Sequence, residues 1–331
     1  MNVKDLSARA SNPIEISVIV PIFNEAEILI ELYDRLYKAV ASITHSFEFI
    51  FVNDGSRDAS LEGLLQLAAS HPHVFYINFS RNFGHQKAVS AGLDHCRGDA
   101  VVIIDGDLQD PPELIPELYR KHKENYQVVY AKRTKRKGES AFKKTTAKLF
   151  YRILKRLTSV EIPVDTGDFR LIDRKVVLYL RQMPEQNKFI RGQIAWLGFR
   201  QTHVAYERDE RKHGTTGYTF GKMLSFALDG ITGFSNKPLV LVTKLGFIIS
   251  LLALVLILYA VIAHYAWDKT ITGWTSLIVS VLFMGGVQLF SIGIIGEYIG
   301  RINTNSQNRP PYIVDTSNLP NSNSEIVPSK S

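Results

Sequence analysis

Two carboxylates separated by one residue close a short apolar run in Val101-Val102-Ile103-Ile104-Asp105-Gly106-Asp107-Leu108-Gln109-Asp110-Pro111-Pro112-Glu113. The run has the composition of a buried strand. The proline pair stops it and opens a helix. An Asp-x-Asp at the end of such a strand can hold a divalent cation at a sheet edge, because the ion takes hard oxygen ligands and keeps positions open for phosphate oxygens. A cation there would neutralise a diphosphate and make it a competent leaving group. Taken alone, the same residues make an ordinary polar turn. The metal reading therefore depends on the elements around them.

Those elements alternate. Ile16–Val20, Phe47–Val52, Val74–Phe79, Val101–Ile104 and Val128–Ala131 read as strands; Ala26–Val40, Leu61–Ala69, Gln86–His95 and Glu113–His122 read as helices. Alternation of this kind predicts an α/β fold with a mostly parallel sheet and helices on both faces. Ligands of such sheets bind beyond the carboxyl ends of the strands. The chemically informative residues sit at those ends: Pro21–Glu25, Asn53–Ser56, Ser80–Lys87 and Asp105–Gln109. No Gly-x-Gly-x-x-Gly follows the first strand and there is no Walker loop, which argues against a dinucleotide enzyme or a P-loop ATPase.

A net charge of +7 points to an anionic partner: nucleic acid, acidic lipid or a phosphorylated substrate. Cys96 is the single cysteine, so no intramolecular disulfide forms, which fits a cytosolic soluble part. The histidines show no metal-ligand spacing, and the first 15 residues carry no apolar signal-peptide core.

Two uncharged apolar runs, Leu245–Ala263 and Ile271–Gly296, are long enough to cross a hydrocarbon core, which takes roughly 20 helical residues. Tyr265, Trp267 and Trp274 mark an interface at their short connection. The pair reads as a hairpin. Lys237, Lys244, Arg301 and Arg309 flank its outer ends, which places the preceding domain and both termini in the cytoplasm of a two-pass plasma-membrane protein. Residues 1–14 and 301–331 read as a loose tail at each end. Between them lie a catalytic domain over 15–236 and two membrane helices over about 243–264 and 274–296 within 237–300. Two amphipathic segments precede the hairpin. One, at 141–158, presents Lys144, Lys148, Arg152 and Lys155 opposite an apolar side; the other spans 219–234. The first reads either as a helix in the lipid headgroup layer or as a surface helix on the sheet, the second as an interfacial or a core helix, and the hairpin favours the interfacial reading of both.

Pro21-Ile22-Phe23-Asn24-Glu25, Asn53-Asp54-Gly55-Ser56, Asp105-Gly106-Asp107-Leu108-Gln109 and the basic helix before a membrane hairpin together resemble the family-2 inverting glycosyltransferases of GT-A fold. Within them the chain is similar to the polyprenyl-phosphate group, which includes dolichyl-phosphate mannose synthases and bactoprenol glucosyltransferases; the resemblance covers roughly residues 16–300. It implies that Pro21, Asn24 and Glu25 shape a nucleoside loop and that Asp54 accepts from the uracil N–H. Asn, Asp and Ser after a strand also serve simply as caps and turn formers. It further implies that Lys87 approaches the nucleotide, and that Asp105, Asp107 and Gln109 surround Mg²⁺ or Mn²⁺. Arg133 would meet a phosphate, or belong to a solvated charge run. Asp168, with Asp165 in reserve, would lie near the anomeric carbon. Arg170, Arg191 and Trp196 read as supporting or core residues. Arg211 would close a loop over phosphate, although Gly217 replaces that loop's usual lysine.

The resemblance implies an enzyme that moves a hexose, glucose from UDP-glucose first, onto polyprenyl phosphate at the cytoplasmic membrane face. Its partners would be a nucleotide-sugar, the lipid and the membrane, with no nucleic acid, and a homo-oligomer, a tetramer included, stays open. The alternatives are another donor, such as GDP-mannose or a UDP-aminoarabinose derivative, and a catalytically silent scaffold that binds nucleotide-sugar. A processive polysaccharide synthase would need more membrane helices and a Gln-x-x-Arg-Trp motif that this chain lacks.

Overall fold

The structure is a computed structural model that describes residues 14–133, 166–206, 233, 235–267 and 273–320. The chain divides into two compact units. The first comprises Met1–Lys148, Glu161–Gly217 and Arg309–Ser331; the second comprises Leu149–Val160 and Tyr218–Asn308.

The first unit is built on the apolar runs seen in the sequence. Strands β1 (Ile16–Ile22) and β2 (Phe47–Asn53) are buried along their whole length and pair in parallel. Continuous apolar strands are what a sheet covered on both faces requires. β3 (Val74–Phe79) and β4 (Ala100–Ile103) extend the parallel set on either side. Helices α1 (Leu29–Ala41), α2 (Ser60–Ser70), α3 (His85–His95) and α4 (Ile115–Lys123) connect them, a 3-10 turn at Pro112–Leu114 leading into α4. One face packs Val18, Val20, Phe49 and Phe51 against α1, α2 and α4; the other packs Ile19, Ile50 and Ile103 against α3.

Beyond β5 (Val128–Arg133) the chain departs from simple alternation. β6 (Thr166–Asp173) inserts antiparallel between β4 and β5; α5 (Arg174–Gln182) and α6 (Ile190–Trp196) follow, and β7 (Gln201–Tyr206) closes that edge parallel to β5. The sheet order is β7-β5-β6-β4-β1-β2-β3-β8. The fold is therefore a GT-A-like α/β sheet, mixed but mostly parallel. The basic segment 141–158, with Lys144, Lys148, Arg152 and Lys155, and the apolar segment 219–234 apart from Gly233 lie outside the described residues.

The eighth strand corrects an expectation. Residues from 301 onward read as a disordered tail, yet helix continues to Ser306 and Val314–Ser317 forms β8, antiparallel to β3. Asn318 extends the pairing: its Oδ1 accepts from Tyr76 N at 2.7 Å and its Nδ2 donates to Val74 O at 3.1 Å. Tyr312 stacks on Phe79 at 5.0 Å and donates to Asp94 at 2.9 Å, and Leu319 is buried. A polar composition hides such a strand, because an edge strand is held by backbone groups that every residue carries.

The second unit contains α7 (Lys237–Trp267) and α8 (Trp274–Ser306). Both outrun the expected spans of about 243–264 and 274–296. Their apolar windows, Lys237–Leu256 and Phe283–Ser306, have mean hydropathies of 2.6 and 1.2. Phe247, Leu251, Leu254, Phe283, Leu289 and Ile292 are exposed along them. Helices this long, with apolar side chains facing outward, meet the requirement for a bilayer, where backbone groups are satisfied within the helix.

Candidate active site

The register of two strands assembles the centre. Antiparallel pairing sets Ile103 of β4 opposite Arg170 of β6. Continued by two residues, that register brings Asp168 across from Asp105. His85, the first residue of α3, completes the group: its Nε2 lies 3.0 Å from Asp168 Oδ2 and 3.5 Å from Asp105 Oδ1. Ligand-type atoms of His85, Asp105 and Asp168 all lie within 4.8 Å of one another.

Asp168 is the most heavily engaged member. Arg191 Nε donates to its Oδ1 at 2.7 Å, and Gln86 Nε2 to its Oδ2 at 3.4 Å. Arg170, itself buried, spans the turn beneath by donating to the carbonyls of Gly167 at 2.9 Å and Asp168 at 3.2 Å. Burial works against charge on Asp168, but Arg191 and His85 outweigh it and hold the carboxyl well below the usual range. Burial also opposes a proton on His85. The Asp168 hydrogen bond and the charges of Asp105 and Asp168 overcome that and push the imidazole up to about 9. Asp105 goes the other way: burial raises it to about 6 against the opposing charge of His85, with Asp168, Asp110 and Asp107 adding to the rise.

The donor set fits a hard divalent cation. Asp105 Oδ1 is buried without a hydrogen-bond partner. A buried carboxylate oxygen in that state is costly unless a cation or proton satisfies it. Asp107, expected beside it as a ligand, accepts from the Gln109 amide at 3.1 Å in a tight turn, and Gln109 is buried. Among the described residues His85, Asp105 and Asp168 form one acidic–imidazole cluster, and Asp107 and Gln109 follow Asp105 on the same loop.

Arg133, at the end of β5, is partly buried and engaged by neighbours. Its Nη2 lies 3.3 Å from Asp110 Oδ1, its Nε donates to Tyr206 Oη at 3.0 Å, and Tyr206 in turn donates to Asp110. Gly167 makes room for this trio, since a Cβ there would sit 2.8 Å from Arg133 Nη2 and 3.2 Å from Asp110 Oδ2.

A separate cleft of about 560 Å³ opens at the carboxyl ends of β1, β2 and β3. Phe23, Asn24, Asn53, Ser56, Arg57 and Asn82 contribute to its lining. Asn24 has a left-handed backbone (φ 57°) and clips two loops together: its amide donates to Ser56 Oγ at 3.0 Å and its Oδ1 accepts from Arg57 N at 2.8 Å. Glu25 follows, its amide bound to Ser60 Oγ at 3.0 Å. Pro21, expected in the loop, lies within β1 opposite Val52. The carboxylate of Asp54, expected to face a base, accepts from Phe83 N at 2.6 Å and Gly84 N at 2.9 Å. Burial raises its pKa while those two amides oppose the rise. Asp54 therefore tethers the β3–α3 loop. Lys87 sits in the first turn of α3. Arg211, and the reserve residue Asp165, lie outside the described residues.

Sequence reasoning assigned no role to His85, Gln86, Asp110 or Tyr206. The one local signal for His85 was an imidazole directly after the glycine that opens a helix. Arg191 and Tyr206 carry no local signal, because only α6 and β7 bring them in.

The comparisons agree with this architecture. Residues 17–180 match Glycosyl transferase family 2, and residues 237–302 match the GtrB C-terminal hairpin. The uncharacterized glycosyltransferase YkcC of Bacillus subtilis is 50% identical over 307 residues, covering 93% of this chain and 95% of that one. The SfII prophage-derived bactoprenol glucosyl transferase of Shigella flexneri is 40% identical over 307 residues, covering 93% and 99%. A mannosyltransferase of Pyrobaculum calidifontis, solved with GDP-Man and Mn2+, aligns with a TM-score of 0.46 at 17% identity over 91% of this chain and 89% of that one. Identity this high over nearly the whole chain, on a GT-A-like sheet with two apolar C-terminal helices, makes this protein a membrane-associated glycosyltransferase of family 2 with a GtrB-type hairpin.

Proposed function

We propose that this enzyme moves a hexose, glucose from UDP-glucose first, onto polyprenyl phosphate at the cytoplasmic face of the membrane, with inversion at the anomeric carbon. The carrying observation is the orphaned Asp105 oxygen beside Asp168 and His85 at the ends of β4 and β6. The name of the Shigella relative supports the lipid acceptor and the glucosyl group.

The nucleoside occupies the cleft at the ends of β1–β3, in line with the rule for open α/β sheets. Its diphosphate extends toward Asp105. Asp105, with Asp107 and Gln109 on the same loop, would hold Mg²⁺ or Mn²⁺. When bound, that cation neutralises the diphosphate and stabilises it as a leaving group. An acceptor phosphate is already ionised at neutral pH, so its oxygen attacks the anomeric carbon without a general base. The carbon–oxygen bond to the diphosphate breaks from the opposite side, and UDP departs. Asp168 is suited to this scheme as a fixed carboxylate rather than a base. Arg191 and His85 keep it ionised, and it orients the sugar or stabilises positive charge on the ring. Protonated His85 offers a donor to phosphate oxygens.

Orientation is part of the proposal: both termini cytoplasmic, and the loop between α7 and α8 outside. A screen of UDP-glucose, GDP-mannose and a UDP-aminoarabinose derivative with a short polyprenyl phosphate, read by mass, tests the function. UDP-glucose should give lipid-phosphate-hexose, and Asp105→Ala should abolish it without loss of membrane insertion. Binding of donor with no product from any of them would leave the scaffold reading.

A further inference from the structure

We propose that Asp110 and Tyr206 are positioning residues for the acceptor. Together they grip one edge of the Arg133 guanidinium and leave its terminal edge to the phosphate of the polyprenyl acceptor. This rests on the reading that the enzyme takes a polyprenyl phosphate. The resemblance puts a phosphate at Arg133 and says nothing of Asp110 or Tyr206, which reach it from the loop after β4 and from β7.

A guanidinium carries five N–H groups in a rigid plane, and more than one of its edges can bind an oxyanion with paired bonds. Here the side edge is taken. Nε donates to Tyr206 Oη at 3.0 Å, and Nη2 lies 3.3 Å from Asp110 Oδ1 and 3.4 Å from its Oδ2. Tyr206 Oη donates to Asp110 Oδ1. A carboxylate beside an arginine commonly claims two N–H groups in a fork. Tyr206 prevents that by accepting from Nε itself, so Asp110 is left with Nη2. Nη1 makes no hydrogen bond among the described residues, and its hydrogens, with the second one on Nη2, form the terminal edge. The Asp110 side chain is fully buried, whereas 19% of the Arg133 side chain remains exposed. The pair is an internal clamp on an arginine that solvent still reaches.

The order of the strands decides which phosphate meets that edge. β6 is antiparallel to both β4 and β5, so its amino end lies at the same sheet edge as their carboxyl ends. Along that edge come Asp105 just after β4, Asp168 on β6 and Arg133 at the end of β5. With neighbouring strands about 4.8 Å apart, Arg133 lies about 10 Å along the edge from Asp105, on the side away from the cleft of β1–β3. The donor diphosphate belongs at Asp105 and its sugar near Asp168. An in-line displacement needs the attacking oxygen on the side of the anomeric carbon opposite the leaving group. Arg133 stands on that side.

The backbone is shaped to hold the clamp. Asp110 precedes Pro111, which disfavours helical backbone at the residue before it. The β5–β6 ladder pairs Tyr130 with Arg170 and Lys132 with Thr166, so β6 takes four steps where β5 takes two. Such irregularities re-aim side chains next to a site. Gly167, which leaves room for the trio, lies in that bulge directly before Asp168.

Initial rates of the full-length enzyme in detergent, with UDP-glucose as donor and a short polyprenyl phosphate as acceptor, test the proposal. Tyr206→Phe keeps the ring and loses only the hydroxyl. It should raise the apparent KM for the lipid about fivefold, the loss expected for one polar interaction, with kcat nearly unchanged and the calorimetric Kd for UDP unchanged. Asp110→Asn should raise the lipid KM in the same way; if it does not fold, Tyr206→Phe decides alone. Arg133→Lys keeps the charge without the fork and should raise the lipid KM further. In that background Tyr206→Phe should add nothing, because Tyr206 acts through the guanidinium. Val204→Ala removes core packing from the same strand and should leave the lipid KM at the wild-type value. A wild-type lipid KM in Tyr206→Phe or in folded Asp110→Asn would overturn the proposal. So would an undiminished effect of Tyr206→Phe in the Arg133→Lys background, or an equal rise in Val204→Ala, which would make packing of β7 the cause. A weaker Kd for UDP with the lipid KM unmoved would assign the edge to the donor diphosphate and overturn it as well. A wild type that gives no lipid product would overturn the functional reading first, and this inference with it.

Discussion

His85 stands between two carboxylates, and its charge links the centre to pH. Its imidazole is held up to about 9, against about 6.5 in an unfolded chain. A group raised on folding contributes stability that is fully present below its unfolded pKa and is lost as pH rises through its folded one. The protein in EDTA should therefore melt at a lower temperature at pH 9.5 than at pH 6.5, the difference falling across roughly that interval. His85→Gln should flatten the profile. The ring is partly exposed, so the effect will be modest. A wild-type profile unchanged in the variant would dissociate His85 from this linkage. Asp105, raised to about 6, adds a second consequence. Below about pH 6 a proton takes the oxygen that a cation needs, so the metal concentration for half-maximal activity should rise steeply there. Metal titrations at pH 5.5 and pH 7.5 would show it; equal values would count against Asp105 as a ligand.

The strand-end loops depend on one close approach. Gly55 has φ +66°, and a Cβ on it would sit 2.4 Å from the carbonyl carbon of Arg81 and 2.5 Å from the Asn82 amide nitrogen. Gly55→Ala should push away the loop that Asp54 tethers, destabilise the fold by about 1–3 kcal/mol and weaken UDP binding severalfold. Denaturation and UDP titration measure the two effects. The opposite end of the sheet supplies a contrast. Glu48, buried in β2, accepts from Ser17 Oγ at 2.6 Å and from Arg97 Nη2 at 2.6 Å and Nε at 2.8 Å. Glu48→Ala should destabilise by about 2 kcal/mol, since it leaves Ser17 and the Arg97 amide without their acceptor, while activity per folded molecule stays at the wild-type level. A comparable loss of UDP binding in Glu48→Ala would show that the two ends are not independent.

At the scale of the whole molecule, β8 constrains the membrane arrangement. β8 follows α8 in sequence yet pairs with β3, which precedes α7. Residues before and after the two apolar helices therefore share one sheet. On the proposed orientation this places them on one side of the membrane, with the two helices crossing as a pair. This agrees with the basic flanks at Lys237, Lys244, Arg301 and Arg309. A cysteine placed in the 268–272 connection should react with an impermeant thiol reagent in intact cells, and one placed at 1–14 or 321–331 should not. Background should be low. Cys96 is buried, and burial pushes its thiol up to about 11. Labelling at 1–14 in intact cells would invert the orientation.

The parallel strands, their helices and the apolar hairpin could be read directly along the chain, because each is a local pattern: continuous apolar runs of strand length, helical spacing, uncharged stretches of membrane length. Asp105 stood out for the same reason, as an acidic residue in a compact strand-end motif, whereas Asp168 came only from the family resemblance. Other parts of the site are set by pairings between distant segments. The Ile103–Arg170 register, which carries Asp168 to Asp105, joins residues separated in sequence by α4, β5 and residues 134–165. Arg191 and Tyr206 reach the site on α6 and β7, and nothing near them in sequence names their partners Asp168 and Asp110. For Asp54 the structure adds what the sequence did not contain: its carboxylate accepts from the backbone amides of Phe83 and Gly84, whatever it offers a ligand. β8 was hidden for the most general reason. Its Ser, Asn and Pro neighbours have the composition of a solvated tail, while its place in the sheet comes from backbone hydrogen bonds, which composition does not encode.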